Sequence, residues 1–370
     1  MRHPRVKPEH LPFRLPDGSI RIGGTVYGIS AEIADPTGTV WSVLALLDGT
    51  RTATEIVSRL PGVALKDVNA IVSQLAAAGY VEDADAPAPV ELTARDLQRY
   101  SRSAEFYRGV DLVARDTHWH AQRAFRGSRV VIVGLGGTGG TTATALAASG
   151  VGRLHLVDPD VVEISNLNRQ SLYVENDIGR TKVEAAIERL GMLNSDIEIT
   201  GKRRRIRGQG DVAGLLDGCD VLVIAADEPP TIRRWANRAC RVSGTPWVDG
   251  GYSGPIVTVG TYVPGPENAC WECLRIAERA RWLRDDAALD PEAVEQAPPP
   301  RGTGVTAAAA GLSGHLVAHA VLALLSGAPA LPTNCVYGFN LVVPEQRVFK
   351  QFPQSPDCPA CGAHAVARAR

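Results

Sequence analysis

A glycine-rich turn between two apolar runs most constrains what this chain can fold into. The apolar residues 130–133 lead into Gly134, Leu135, Gly136, Gly137, Thr138 and Gly139, a helix-like segment follows at 141–148, and a second apolar run at 154–157 ends on Asp158. Glycines let backbone approach phosphate closely, and an acidic residue about 20 positions further on can meet a ribose. The spacing therefore predicts a βαβ nucleotide site in a Rossmann-like α/β domain.

The residues after Asp158 decide between two nucleotides. The glycine turn alone is also typical of a nicotinamide-dependent dehydrogenase. Segment 158–170 adds Asn166 and Arg169 directly beyond the ribose acid, and Lys182 follows. A dehydrogenase does not need these groups there, whereas a site for a triphosphate does, so the segment favours ATP.

Later apolar runs indicate how the sheet continues. Strand-like runs at 220–225 and 247–248 alternate with helix-like segments, which predicts a doubly wound, largely parallel sheet. Runs at 256–263, 336–339 and 347–352 are spaced like an antiparallel extension.

Four of the seven cysteines form two CxxC pairs, Cys270 with Cys273 and Cys358 with Cys361. In a reducing compartment such pairs predict a tetrahedral structural zinc site that fastens the C-terminal tail to the main domain. Two redox motifs or a chance pairing are the alternatives, and His364 is a possible substitute ligand. The lone Cys219, Cys240 and Cys335 are interpreted as core residues or unassigned thiols.

Bulk composition excludes several classes of protein. A net charge of -1 over 370 residues argues against a general polyanion binder. The basic run at 202–205 is interpreted as a solvated strand end, and the apolar run at 307–325 as a buried helix pair rather than a membrane span. Because the N-terminus lacks an apolar signal core, a cytoplasmic protein without a membrane partner is expected.

The first 83 residues predict a separate winged-helix (α+β) domain, followed by a linker at 84–96 and a main domain at 97–370. A turn at 16–18, a capping box at 52–55 and a helix with apolar residues at 3–4 spacing up to Gly79 support this pattern. Lys66, beside Asp67, is the only clearly basic residue of the helix that would read DNA, so no nucleic-acid partner is expected. Residues 8–83 resemble the PqqD-like RiPP recognition element, in which a leader peptide adds a strand to the sheet edge beside the third helix.

Residues 97–363 resemble the ThiF/MoeB branch of the ubiquitin-activating enzyme superfamily. The glycine turn, segment 158–170, residues 179–182, Asp227 after a buried run and both CxxC pairs occur in family order. The resemblance implies an enzyme that binds ATP and Mg²⁺, adenylates a carboxylate of a peptide or small protein, and releases pyrophosphate. It also implies a homodimer in which Arg102 reaches the partner's ATP.

The residue types suit these roles. Gly134, Gly136, Gly137 and Gly139 would form the phosphate turn, Asp158 would bind the ribose hydroxyls, and Asn166 would bond to phosphate. Arg169 and Lys182 would stabilise charge at the α-phosphorus, and Asp227 would hold Mg²⁺. Each has an ordinary alternative: Arg102 could pair with Glu105, Asp227 could cap a helix, and Arg169 or Lys182 could be a solvated charge.

Two departures from the family pattern bear on function. Glu228 follows Asp227 where the family often has Asn, and residues 274–311 contain no cysteine. Relatives that form thioesters or persulfides usually place a reactive cysteine in that stretch, so transfer to a non-cysteine nucleophile is expected. The leading hypothesis is a precursor-peptide adenylyltransferase of RiPP biosynthesis, with a layout like that of microcin C activating enzymes. The alternatives are activation of a sulfur-carrier protein for thiamine, molybdopterin or cysteine synthesis, and a non-catalytic leader-peptide adaptor.

Overall fold

The structure is a computed structural model that describes residues 1–26, 28–285 and 304–362, without the side chains of 281–285. The chain divides into two compact units. The first comprises Met1–Arg126 with Ser326–Ala330, and the second comprises Gly127–Leu325 with the residues from Leu331 onward. The predicted division at residues 83–97 stays a prediction.

The first unit contains two small sheets and six helices. Its strands are β1 (Pro4–Val6), β2 (Phe13–Arg14), β3 (Ile20–Ile22), β4 (Ala31–Ile33) and β5 (Val81–Asp83). Its helices are α1 (Thr39–Leu44), α2 (Ala53–Ser58), α3 (Leu65–Ala77), α4 (Ala94–Arg99), α5 (Ser101–Val110) and α6 (His120–Gly127).

Strands β2, β3 and β4 form an antiparallel sheet in that order, whereas β5 pairs with β1 in a separate two-stranded sheet. The predicted capping box opens α2, where the Glu55 N–H donates to Thr52 Oγ1 and the Thr52 N–H donates to the Glu55 carboxylate. Strand β5 follows the predicted third helix and pairs antiparallel with the N-terminal strand β1. The winged-helix assignment stays a prediction.

The second unit is a mixed eight-stranded sheet flanked by helices, which confirms the predicted α/β fold. Its strands are β6 (Arg129–Val133), β7 (Arg153–Val157), β8 (Glu198–Lys202), β9 (Val221–Ile224), β10 (Trp247–Ser253), β11 (Ile256–Tyr262), β12 (Cys335–Asn340) and β13 (Arg347–Gln351). Its helices are α7 (Gly137–Ala148), α8 (Lys182–Leu193), α9 (Gln209–Ala213), α10 (Ile232–Ser243), α11 (Trp271–Asp285) and α12 (Ala307–Ser326).

The strand order is β13-β12-β11-β10-β9-β6-β7-β8. The five strands from β8 to β10 run parallel, and β11, β12 and β13 extend the sheet antiparallel. Strands β6 and β9 are buried almost throughout because helices cover both faces of a parallel sheet. The chain order reverses beside β6, and ligands bind open α/β sheets at such a switch point.

Helix α12 corrects one prediction. The run expected to be a helix pair is a single helix of 20 residues. It is the one helix in the described part of the chain that is long and apolar enough to cross a membrane, and 56% of its most apolar window is buried inside the protein. Ala310, Ser313 and Val317 are fully buried, and Ser313 Oγ lies 3.0 Å from Thr138 Oγ1 of α7, which are the contacts of a core helix.

Candidate active site

A cavity of about 420 Å³ lies at the carboxyl ends of β6, β7 and β9. Among the predicted site residues it is lined by Gly134, Gly136, Asp158, Arg169, Lys182 and Asp227. The structure therefore brings together six residues that the sequence places up to 93 positions apart. The other predicted residues lie elsewhere and are described below.

The glycine turn brings backbone into close contact at the mouth of this cavity. Gly134 has a φ of +94°, and a Cβ atom there would lie 2.6 Å from the Ala225 carbonyl oxygen. A Cβ atom at Gly139 would collide with the Gly134 carbonyl oxygen. Gly136 is the N-cap of α7 and offers no side chain, so the first amides of that helix are left to meet an anion. Gly137 lies in the first turn of α7, where its missing side chain makes room for Ala310.

Asp158 ends β7 and ties the turn to the next loop. Its Oδ2 accepts a 2.6 Å hydrogen bond from the Leu135 N–H, and its Oδ1 accepts one of 2.8 Å from the Asp160 N–H. The residue is only 4% exposed. Each carboxylate oxygen can accept a second hydrogen bond, so Asp158 is fixed in place and still able to receive ribose hydroxyls.

The cavity is rich in cationic side chains. Lys182, at the start of α8, is buried, and its Nζ donates to Asp160 Oδ2 at 3.2 Å. Arg169 Nη1 donates to the Ser165 carbonyl at 2.9 Å. Arg204 and Arg205 also line the cavity, although the sequence predicts only a solvated strand end there. Their position after β8 could have indicated this, because β8 ends beside β7 at the same sheet edge. Four carboxylates also line the cavity, those of Asp158, Asp160, Asp227 and Glu228. The cavity therefore offers cations for an anionic ligand and carboxylates for hydroxyl groups or a metal ion.

Asn166 and Arg102 do not line this cavity. Asn166 is buried, and its Oδ1 accepts a 3.2 Å hydrogen bond from the Glu163 N–H in the turn that leads to Arg169. Arg102 belongs to the first unit, where its side chain is 90% exposed and its Nη1 lies 3.0 Å from Glu105 Oε2. Their predicted contacts with ATP stay predictions.

Asp227 lies just after β9, and its side chain is 87% exposed. It lines this first cavity and also a second cavity of about 700 Å³, which lies over β10, β11 and α11. An exposed carboxylate at the edge of such a cavity suits Mg²⁺, which prefers oxygen ligands and is usually held by one or two carboxylates, phosphates and water.

Sequence reasoning missed the residues that hold Asp227. Arg233 donates from Nη2 to Asp227 Oδ1 at 3.1 Å and from Nε to Asp249 Oδ2 at 2.8 Å. Burial raises the pKa of Asp249 although Arg233 opposes this, and burial beside Asp249 also raises the pKa of Tyr262. The position of Asp249 in β10, the strand beside β9, was the available signal.

The four predicted cysteines converge. Their sulfur atoms all lie within 4.8 Å of one another, and Cys270 Sγ is 3.9 Å from Cys273 Sγ and 3.6 Å from Cys358 Sγ. Zinc bound by four thiolates at about 2.3 Å holds them roughly 3.8 Å apart, so the cluster fits that ion. All four residues are buried. Four thiolates would fill the tetrahedral coordination of a structural zinc. His364, the possible substitute ligand, lies outside the described residues.

A polar side chain of α10 and a backbone N–H of the C-terminal segment contact this cluster. Asn237 Nδ2 lies 3.5 Å from Cys270 Sγ, and its Oδ1 accepts a hydrogen bond from the Trp271 N–H at 3.1 Å. The Ser355 N–H lies 3.3 Å from Cys273 Sγ. Such contacts fix metal ligands in place.

The comparisons with known proteins agree with this geometry. A model of the ThiF family matches residues 67–360, well over half of the chain. The chain belongs to the ThiF family. The sulfur carrier protein ThiS adenylyltransferase of Escherichia coli is 34% identical over 236 residues, which cover 63% of this chain and 83% of that protein. The molybdopterin-synthase adenylyltransferase of E. coli is 30% identical over 275 residues, which cover 74% and 99%. These ThiF family relatives confirm the predicted enzyme class, an ATP-dependent adenylyltransferase.

Solved structures share the fold over almost the whole length of this ThiF family chain. E. coli MccB aligns with a TM-score of 0.77 at 22% identity, over 97% of this chain and 96% of that one. Structures of MccB with ATP and with the peptide named MccA align with TM-scores of 0.73 and 0.74. At this identity the likeness shows the fold alone.

Proposed function

We propose that this chain adenylates a carboxylate on a ribosomally made precursor peptide, in the biosynthesis of a peptide natural product. The observation that carries the proposal is the pair of cavities that share Asp227. One is lined by phosphate-binding chemistry, and the other has room for the acyl chain, so the two substrates would meet at Asp227.

The cationic cavity would hold ATP. Asp158 would bind the ribose, and the first turn of α7 would face the phosphates. A carboxylate oxygen of the peptide then attacks the α-phosphorus, and the bond from that phosphorus to the bridging oxygen breaks, so that pyrophosphate leaves. Arg169 and Lys182 would stabilise the negative charge that develops on the phosphoryl oxygens. Mg²⁺, held by Asp227, would neutralise phosphate charge and orient the leaving group.

The second cavity suits a peptide chain. Tyr252, Tyr262 and Trp271 line it together with Arg275 and Lys350, which both pair with Glu278. Aromatic walls with a few polar groups bind an extended peptide and fix its orientation. A chain that enters beside α11 would bring its carboxylate toward Asp227 and the nucleotide.

The first unit would bind the leader part of the precursor. Strand β4 lies at the edge of its three-stranded sheet, and its residues Ala31 and Ile33 pack against the core that α3 helps to form. A peptide that pairs with this edge would gain backbone hydrogen bonds, and pockets for alternate side chains would select it.

Two observations favour a peptide over a sulfur-carrier protein. The likeness to MccB includes the N-terminal residues, whereas the matches to the two sulfur-carrier and molybdopterin relatives cover 63% and 74% of the chain. In addition, residues 274–311 lack the cysteine on which a thioester or persulfide would form. The acyl adenylate would therefore pass directly to another nucleophile, such as an amine. Sulfur-carrier activation is the second candidate, since those relatives share 30% or more of the aligned residues.

A homodimer with composite sites completes the proposal. Arg102 is almost fully exposed on α5, so its side chain is available to a second copy of the chain. In that arrangement it would contact the partner's ATP.

The test is ATP–pyrophosphate exchange with full-length protein and a precursor peptide encoded beside its gene. The proposal predicts exchange that requires the peptide carboxylate and Mg²⁺. Exchange with a small sulfur-carrier protein alone would support the second candidate. Leader binding without exchange under any condition would indicate an adaptor.

A further inference from the structure

Arg233 joins two carboxylates, one just after strand β9 and one within the neighbouring parallel strand β10. Asp227 comes after β9 and Asp249 lies in β10, and the Arg233 guanidinium donates to both, at 3.1 Å and 2.8 Å. The Arg233 side chain is 21% exposed, compared with 14% for Asp249 and 87% for Asp227. One end of this bridge is therefore fixed inside the protein, and the other lies at the boundary of the two cavities.

The fixed end is built into the sheet. Asp249 pairs with Gly260 across β10 and β11, and a Cβ atom at Gly260 would overlap both Asp249 Oδ1 and the Tyr262 hydroxyl. Glycine at that register position makes room for the carboxylate and for the hydroxyl that bonds to it. Asp249 thus holds Arg233, while Asp227 is free to change partner.

We propose that Arg233 is a positioning residue that occupies the Asp227 carboxylate until a divalent cation takes it. The inference rests on the proposed role of Asp227 as the Mg²⁺ ligand. Metal binding would then exchange a guanidinium for a cation on the same oxygen, and Asp249 would keep Arg233 from following Asp227 toward the metal. The carboxylate would be held ready at the cavity boundary in the absence of nucleotide.

The bridge predicts that substitutions of Arg233 and of Asp249 have opposite effects on metal affinity. Arg233→Met removes the guanidinium that competes for Asp227, so the cation meets a free carboxylate. Asp249→Asn leaves Arg233 with Asp227 as its only carboxylate partner in the bridge and removes one negative charge, so the cation binds less readily. A general loss of packing would weaken binding in both variants.

The experiment measures Mn²⁺ binding to the full-length protein with ATP by electron paramagnetic resonance. We expect Arg233→Met to tighten Mn²⁺ binding about tenfold and Asp249→Asn to weaken it about tenfold, as expected for one charge-assisted hydrogen bond. Arg234→Met, an exposed neighbour on the same helix, is the matched control and should match the wild type. Arg233→Lys keeps the charge with a smaller change in packing and should stay within about threefold of the wild type, because a lysine still competes for Asp227. Circular dichroism and zinc content establish that each variant is folded.

If Arg233→Met and Asp249→Asn shift Mn²⁺ affinity in the same direction, or if neither differs from Arg234→Met, the positioning role is wrong while the proposed function stands. A wild-type protein that binds no Mn²⁺ in the presence of ATP would overturn both. Binding by the wild type that Asp227→Asn leaves unchanged would overturn the metal role of Asp227 and the inference with it.

Discussion

The cysteine cluster and the cavity lined by Asp158, Arg169 and Lys182 lie in the same unit and differ in how their polar groups are paired. The cluster is closed, because four buried thiols face one another and polar groups surround them. The cavity is open, and its charged groups form ion pairs that a ligand could replace: Lys182 and Arg205 with Asp160, Arg204 with Asp211, and Asp227 with Arg233. A site whose ligands are all supplied by the protein can stabilise the fold, whereas a site with exchangeable partners can bind and release substrates.

Helix α10 connects the two. Arg233 lies in its first turn and contacts Asp227. Asn237 lies four residues later and contacts Cys270 and Trp271 beside the cysteine cluster. Residues four apart share one face of a helix. A substitution that disturbs the cysteine cluster could therefore change ligand binding at the cavity through α10, and the reverse.

The largest expected effect belongs to the open site. Asp227→Ala and Arg169→Ala should each lower carboxylate-dependent pyrophosphate exchange by roughly 10²–10³-fold, because each removes charge stabilisation at the reacting phosphates. Leader-peptide affinity should change little, because β4 and α3 belong to the other unit. Exchange rates and peptide binding by fluorescence polarisation measure the two, with Arg234→Met as the control. Full exchange activity in either variant would refute the assignment of that residue.

The closed site should respond in stability. Cys358→Ser should abolish stoichiometric zinc and cost about 3 kcal/mol, which lowers Tm by roughly 6–12 °C in a domain of this size. Metal analysis should find about one zinc per wild-type chain, as expected for a four-cysteine structural site. Cys335→Ser changes a buried cysteine outside the cluster and should retain the metal. The structural role would be contradicted by zinc-free wild-type protein of normal stability.

A smaller loss of stability should follow from removing the polar contacts that Asn237 of α10 makes beside the cysteine cluster. Asn237→Leu removes the hydrogen bonds to the Trp271 N–H and to Glu272, and we expect a cost of about 1–3 kcal/mol with zinc still bound. Thermal unfolding and metal analysis measure these two outcomes. If ATP affinity also falls, the two sites are coupled through α10. Unchanged Tm would show that the contacts of Asn237 contribute nothing to the fold.

The smallest expected effect is that of salt on leader binding. Backbone pairing at β4 involves little counterion release, so the affinity of the full chain for a labelled leader should change less than about threefold between 50 and 200 mM salt, whereas a protein that makes several phosphate contacts loses orders of magnitude. Duplex DNA added as a competitor separates the two kinds of binding. Tight, salt-dependent binding of DNA without binding of the leader would point to a regulatory protein.

Sequence patterns predicted the parallel core and the cysteine cluster because both depend on local spacing. The apolar runs at β6, β7 and β9 and the CxxC pairs leave few alternatives. Of strand β8 the sequence indicates only the end at 202–205, because it is an edge strand whose exposed residues alternate with partly exposed ones, including a glycine. The glycines of α12 predict a break between two helices, but tertiary packing against α7 keeps one continuous helix.

Only the site residues that belong to a sequence motif could be predicted. Asp158, Arg169, Lys182 and Asp227 line one cavity as the motif order implies, whereas Arg233 and Asp249 become partners only when β9 and β10 lie side by side. Asn166 belongs to the motif and is predicted to bond to phosphate, but its side-chain oxygen accepts a hydrogen bond from the Glu163 N–H within a turn. Sequence spacing does not reveal which polar groups are used within the loop.

The most direct test of the central claim is the fate of oxygen in the peptide carboxylate. A precursor labelled with oxygen-18 at its candidate carboxyl groups is incubated with the protein, ATP, Mg²⁺ and an amine acceptor, and the products are analysed by mass spectrometry. Adenylation of that carboxylate predicts release of pyrophosphate and AMP that carries one labelled oxygen, together with a peptide that has lost it. Label that stays entirely in the peptide, or that appears in inorganic phosphate beside ADP, would contradict the account.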